Sequence, residues 1–236
     1  MPSEDYMDRD EQDERDDIID ADEDHGLVDD IVDEDTDLDD VEDTDDADDD
    51  TVTFASLGLP EEILEAVTDM GFRFPTPIQA AAIPPLLELR DVVGIAQTGT
   101  GKTAAFGLPL LAIVDADERD VQALVLAPTR ELAMQSAQAI EDFAARTARL
   151  DVVPVYGGSP YGPQIGALKR GAQVVVGTPG RVIDLIEKGA LDLSNVRMLV
   201  LDEADEMLRM GFAEDVETIA SSAPDDRLTA LFSATM

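Results

Sequence analysis

Residues Ala96-Gln97-Thr98-Gly99-Thr100-Gly101-Lys102-Thr103 combine glycines, hydroxyls and one amine in an order that suits a phosphate chain. The glycines let consecutive backbone N–H groups curl around phosphate oxygens without a Cβ in the way. Lys102 would reach the β- and γ-phosphates of a nucleoside triphosphate, and the Thr103 hydroxyl would ligate Mg2+. Ala96 stands where the general phosphate-loop pattern has its first glycine, so the strict motif is not met. Further along, Asp202-Glu203-Ala204-Asp205 follows the apolar run Met198–Leu201. Asp202 would hold Mg2+, largely through water, and Glu203 would orient and deprotonate an attacking water. Alone, four such residues could cap a helix start. Together with the phosphate loop they read as the hydrolytic side of a nucleotide site, with Glu203, Lys102 and Asp202 as its catalytic residues.

Such groups need rigid elements to hold them. Buried-strand candidates fall at 92–96, 123–127, 152–156, 174–176, 198–201 and 229–232, with helix candidates near 61–70, 77–89, 101–114, 130–147, 163–170, 180–188 and 211–221. Continuous apolar strands alternating with helices predict an α/β fold with a mostly parallel central sheet, flanked by helices on both faces. Ligands of such sheets sit beyond the carboxyl ends of the strands, where both groups above are placed.

The charge is unevenly spread. Residues 1–50 hold 28 of the 54 acidic residues but only two of the 16 basic ones, so this segment carries 26 of the 38 net negative charges. Its composition predicts a disordered acidic tail, either solvated, or serving as an arm for basic partners, or competing for the protein's own basic groove, and a folded domain over 51–236. Cysteine is absent from the sequence, which excludes a disulfide framework or a thiolate metal site. No apolar run approaches the ~18 residues of a membrane span and the N-terminus has no signal layout, so the expectation is a cytoplasmic protein.

Several further segments, in order, resemble the DEAD-box ATP-dependent RNA helicases. Asp202–Asp205 spells the family's signature, and Gly71-Phe72-Arg73-Phe74-Pro75-Thr76-Pro77-Ile78-Gln79 looks like its adenine-reading Q motif. Phe54 stands 17 residues before Gly71, where the family keeps an isolated aromatic. Pro128–Ala133 is similar to motif Ia, Gly157-Gly158 to the GG element, Thr178–Arg181 to motif Ib and Ser233-Ala234-Thr235 to motif III. The wording at 156–159 and 171–181 most resembles the bacterial cold-shock, ribosome-associated DeaD type.

The resemblance implies the first RecA-like P-loop NTPase domain of an RNA helicase that couples ATP hydrolysis to local duplex unwinding or RNP remodelling. It implies ATP and Mg2+ as cofactors. ATP would be held by Phe54, Phe72, Phe74, Thr76, Gln79, Gln97, Thr98, Gly99, Thr100, Gly101, Lys102 and Thr103, with Phe72 stacking on adenine and the Gln79 amide pairing with its N6 and N7 edge. It implies RNA, gripped through its backbone without sequence preference, at Pro128, Thr129, Arg130, Gly157, Gly158, Thr178, Pro179, Gly180 and Arg181. Thr178 and its neighbours could also cap helices. Asp205, Ser233, Ala234 and Thr235 would couple the two sites. Ribosomal or RNA-decay proteins are the further partners expected. The family's second RecA-like domain is expected to lie outside this chain, which by itself would be monomeric and weakly active.

Overall fold

Val, Ile, Leu and Ala dominate six short runs, each too short for a helix and bounded by glycine, proline or acidic residues. In the computed structural model, which describes residues 52–147 and 149–235, all six are strands. The acidic tail expected over 1–50 lies outside the described residues.

A 3-10 turn at Phe54–Leu57 precedes α1 (Glu61–Asp69), α2 (Pro77–Leu87) and β1 (Val92–Ile95). Then come α3 (Lys102–Ile113), β2 (Ala123–Leu126), α4 (Arg130–Phe143), β3 (Val152–Val155) and α5 (Tyr161–Arg170). The chain continues with β4 (Val174–Gly177), α6 (Pro179–Glu187), β5 (Met198–Leu201), α7 (Ala204–Arg209), α8 (Ala213–Ala220) and β6 (Leu228–Ser233). The strands form one parallel sheet in the order β1-β6-β5-β2-β4-β3.

Alternation along the strands sorts the core into two layers. Ala123, Val125, Val174, Val176, Met198 and Val200 face one side, where Ile83, Phe106 and Ile140 of α2, α3 and α4 cover them. Leu124, Leu126, Val175 and Leu199 face the other, under Val182, Met207 and Ile219 of α6, α7 and α8. The rings of Phe106 and Phe232 meet at 5.4 Å in the first layer, and truncating either to alanine would cost about 3–5 kcal/mol. Among the described residues, no helix is long and apolar enough to cross a membrane.

Strand order sets the geography of the carboxyl edge. The loops after β1, β6 and β5 are neighbours; they carry the phosphate loop, Ser233–Thr235 and the Asp202–Asp205 run. The loops after β2, β4 and β3 are also neighbours, and they carry Pro128–Arg130, Thr178–Arg181 and Gly157-Gly158. Three helices, α4, α5 and α7, differ most from the sequence expectation. Helix α4 ends at Phe143 instead of 147. Helix α5 starts at Tyr161 instead of 163, because Pro163 fits within a first turn, where no intrahelical N–H is required. Helix α7 was hidden by the acidic run itself. Its N-cap is Glu203, in the left-handed region at φ 53°.

Candidate functional site

The phosphate loop leaves β1 at Ile95 and enters α3 at Lys102, so its N–H groups and the positive helix end converge on one place. Gly99 and Gly101 take φ of 85° and 88°. Gly101 is also packed: a Cβ there would lie 2.3 Å from Gln79 Nε2. Lys102 is buried, and its Nζ donates to Glu203 Oε1 at 2.7 Å. Thr98 Oγ1 donates to the same oxygen at 2.8 Å. The ion pair thus ties the loop after β1 to the loop after β5 across the end of β6. Glu203 is a non-glycine residue held in the left-handed region, a conformation that costs about 1–3 kcal/mol and gathers at functional sites. Thr103 is half-buried beside Lys102, whereas Gln97 is exposed and its carbonyl accepts from Thr100 Oγ1 at 2.7 Å.

The segment ahead of α2 divides by role. Phe72 and Phe74 are 46% and 58% exposed, large aromatic faces without a core to fill. Gln79 is buried; its Oε1 accepts from Thr76 N at 2.9 Å, and its Nε2 donates to the Gly101 carbonyl at 3.1 Å. The amide expected to read a base edge therefore also braces the phosphate loop, with one N–H and one lone pair left over. Phe54 belongs instead to the core under α1 and α2, with 3% exposure. Its ring is committed to packing, and no stacking surface faces a ligand.

Asp202 is buried at the end of β5, and Ser136 of α4 donates to its Oδ2 at 3.3 Å. Burial raises its carboxyl to about 6, against the opposing pull of Lys102; the Glu203 charge raises it further. Its other oxygen, Oδ1, has no hydrogen-bond partner among the described residues. A buried acceptor left open next to a phosphate loop fits Mg2+ bound through water, since Mg2+ takes one or two carboxylates plus substrate phosphates. No three-residue His, Cys, Asp or Glu cluster exists among the described residues, and this chemistry does not require one. Asp205 Oδ2 accepts from Thr235 Oγ1 at 2.8 Å, which holds its carboxyl below the usual range. The Ser233 hydroxyl adds to the same effect on Asp205, and it also donates to the Thr235 carbonyl and accepts from Thr235 N at 3.2 Å, shaping the turn through Ala234.

The β2–β4–β3 half is built differently. Thr129 caps α4, its Oγ1 accepting from Leu132 N at 3.3 Å, and follows the buried Pro128. Arg130 is exposed, with its guanidinium 4.8 Å from the Tyr156 ring. Gly157, Gly158 and Gly180 are exposed, and a Cβ on any of them would meet nothing within 4 Å. Thr178 sits at the N-cap of α6 and makes no side-chain cap bond; Pro179 fills the first turn. Arg181 departs from expectation. It is 7% exposed, and its guanidinium donates to Gln164 Oε1 at 2.9 Å and to the Ser159 carbonyl at 3.0 Å, stacked 4.0 Å from the Tyr161 ring. A side chain expected on the surface faces inward because the loop after β3 folds over it.

Residues 76–236 match the family model described as DEAD/DEAH box helicase. The chain belongs to the DEAD/DEAH box helicase family. It is 59% identical over 187 residues to ATP-dependent RNA helicase DeaD of Haemophilus influenzae, covering 79% of this chain and 30% of that protein. It is 58% identical to ATP-dependent RNA helicase DeaD of Mycobacterium tuberculosis, over 78% of this chain and 33% of the relative. A crystal structure of a DEAD box protein from the hyperthermophile Methanococcus jannaschii superposes with a TM-score of 0.74 at 46% identity, covering 78% of this chain and 50% of that one. The chain spans about a third of the length of these DeaD relatives.

One wide crevice of this DEAD-box domain lies away from where its chemistry-bearing residues meet. About 880 Å3 opens at the opposite, amino-terminal edge of the sheet, between Asp91, Arg197 and Arg227. Two polar side chains at the carboxyl edge escaped the sequence reading, Ser136 and Gln164. Each lies inside a helix on a buried face, where a polar residue in an apolar stripe was the available signal.

Proposed function

We propose that this chain is the nucleotide-binding part of an ATP-dependent RNA helicase that couples ATP hydrolysis to local unwinding of RNA duplexes or remodelling of RNPs. The observation that carries the reading is the buried Lys102–Glu203 contact at 2.7 Å, which joins the phosphate loop to the acidic signature at one edge of the sheet. When ATP enters, Lys102 exchanges Glu203 for the β- and γ-phosphates, and the released carboxylate is free to orient and deprotonate water. Thr103 and Asp202 would hold Mg2+, which supplies charge neutralisation between the phosphates. Phe72 and Phe74 offer the stacking surface for adenine, and Gln79 links base recognition to the loop it braces. Donors opposing the γ-phosphate charge come from the rest of the protein, in the second RecA-like domain that the resemblance implies.

RNA lies across the loops after β2, β4 and β3, contacted by Thr129, Arg130 and the exposed glycine backbones. Grip through backbone N–H groups carries no base information, which suits an enzyme acting on many RNAs. Thr235 on Asp205 links this side to the nucleotide. The dense acidic charge of residues 1–50 would attract basic partners or compete for the domain's basic groove, and the protein acts in the cytoplasm.

The test is ATP hydrolysis and strand separation by the full-length protein with RNA and with DNA of matched sequence. RNA-stimulated hydrolysis with unwinding of a short RNA duplex is expected. Stimulation by DNA alone overturns the substrate, and ATP-dependent RNA retention without strand separation would make it a clamp instead of a helicase.

A further inference from the structure

The loop Tyr156-Gly157-Gly158-Ser159 is held from beneath at both ends. Gln164 Nε2 donates to the Tyr156 carbonyl at 3.1 Å, and Arg181 donates to the Ser159 carbonyl at 3.0 Å. The two supports are joined to each other, Arg181 to Gln164 Oε1 at 2.9 Å. Both are buried, at 6% and 7% exposure. Tyr161 lies 4.0 Å under the guanidinium and donates to Asp184 at 2.7 Å, which fixes the ring. Arg181 Nε is buried as well and points at no solvent-facing partner; the nearest acid, Asp184 Oδ2, is 4.0 Å away. The glycines between the two held carbonyls are exposed, Gly158 at φ 73°, with open space where a Cβ would stand.

We infer that Gln164 and Arg181 are positioning residues for the RNA grip: a forked brace that presents the Gly157-Gly158 backbone to a phosphate, with Arg181 itself touching no RNA. The inference rests on the proposed RNA-binding reading of this edge. Two physical points carry it. An amide and a guanidinium are the side chains that can span two carbonyls and each other in one plane, because one offers a donor and an acceptor and the other several donors in a fixed fork. And a charge sealed under a loop contributes to RNA affinity through the shape of the loop, whereas a charge contacting phosphate releases counterions and leaves a salt signature.

That signature is the test. Affinity of the full-length protein for a fluorescent single-stranded oligoribonucleotide, with a non-hydrolysable ATP analogue present, is measured between 50 and 200 mM salt. Arg181→Lys keeps the charge but loses the fork, and Gln164→Met removes the linking amide without changing any charge. Each is expected to lower RNA affinity about tenfold, the worth of one charge-assisted bond, with an unchanged slope of log affinity against log salt. A direct phosphate contact predicts the reverse. Arg181→Lys would then bind nearly as the parent, Arg181→Gln would flatten the slope by about 0.7, and Gln164→Met would have no effect. Any of those three results overturns the brace. ADP affinity reports which variants are folded. Gln164→Glu, which keeps an acceptor for Arg181 but loses the donor to Tyr156 and sets a carboxylate against that carbonyl, stands in for a variant that does not fold; parent-like RNA affinity in it also overturns the brace. If the parent protein binds no RNA, the functional reading itself fails, and this inference with it.

Discussion

At the ends of β1, β6 and β5 polar side chains converge on carboxylates: Lys102 on Glu203, Thr235 on Asp205 and, from α4, Ser136 on Asp202. At the ends of β2, β4 and β3 the buried charge, Arg181, reaches for carbonyl and amide oxygens under a loop, and what faces solvent is largely backbone. One half adds reactive side chains to its backbone donors, and the other relies mainly on the chain itself. The difference follows from the ligands. Hydrolysis needs a base and a cation whose protonation and charge change hands, which only side chains supply. A grip on a uniform phosphate backbone needs evenly spaced N–H donors, which the main chain supplies at no cost in side-chain order.

The sharpest way to break this comparison is an isosteric change in the nucleotide half. Glu203→Gln keeps an acceptor for Lys102 and Thr98 but has no basicity, so RNA-stimulated turnover should fall about 10²–10⁴-fold while ATP affinity stays within a few-fold. Single-turnover hydrolysis and nucleotide titration of the full-length protein measure both. Turnover close to the parent's would remove Glu203 from the role of base.

A second contrast uses one substitution twice. Gly101→Ala forces a methyl to 2.3 Å from Gln79 Nε2 at a φ of 88°, so it must displace the amide that braces the phosphate loop. With about 1–2 kcal/mol of left-handed strain added to that clash, ADP affinity should drop more than roughly tenfold. Gly157→Ala meets no atom within 4 Å, so ADP affinity and melting temperature should not move. Only RNA affinity should weaken, because the methyl occupies the space a phosphate would approach. Equal loss of ADP binding in both would mean that the halves are not separately built.

The same contrast explains what the sequence revealed. Strands were legible because continuous apolar runs bounded by breakers leave few alternatives, and the observed strand edges fall within about two residues of expectation, the usual reach of boundary error. The phosphate loop and Asp202–Asp205 were legible because their chemistry is in the side-chain types. The direction of Arg181 was not. An arginine at a helix start after a strand suits a phosphate equally well whether it faces out or in, and only the fold of the Tyr156–Ser159 loop over it decides. Gln79, too, was read for its hydrogen-bonding capacity toward a base, while its contact with Gly101, 22 positions away, exists only in three dimensions. Phe54, which the resemblance places at the nucleotide, is packed in the core under α1 and α2, a burial that an isolated aromatic in the sequence does not reveal.

The nucleotide half also stores a cost that changes with pH. Burial raises the Asp202 carboxyl to about 6 from an ordinary value near 4, so between those pH values the folded domain holds a proton that the unfolded chain has released. Stability of the ligand-free domain therefore falls as pH rises through that window, by up to about 3 kcal/mol once the carboxylate is fully charged. Asp202→Asn removes that penalty. Its melting temperature in EDTA should exceed the parent's at pH 7.5, with the advantage disappearing near pH 4. A parent domain that grows more stable from pH 4 to 7 relative to Asp202→Asn would show the carboxylate to be stabilised where it sits.

The smallest effect belongs to Arg130, the exposed arginine of the β2–β4–β3 half. Its guanidinium rests 4.8 Å from the Tyr156 ring, a contact worth about 0.5–1 kcal/mol at an exposed site, and its donors face solvent. It is therefore preorganised at the same loop that Arg181 braces, one arginine at Tyr156 and the other at Ser159. Arg130→Ala should reduce RNA affinity only several-fold at moderate salt, and flatten the salt dependence by about 0.7, the share of one phosphate on a single strand. Arg130→Lys should restore the slope but only part of the affinity, because an ammonium keeps the charge and stacks less well on the ring. The two arginines thus separate by slope instead of by magnitude. Arg130 carries a phosphate and alters the salt dependence; Arg181 carries the loop and leaves it alone. An unchanged slope in Arg130→Ala would mean that this half of the edge binds RNA through its backbone entirely.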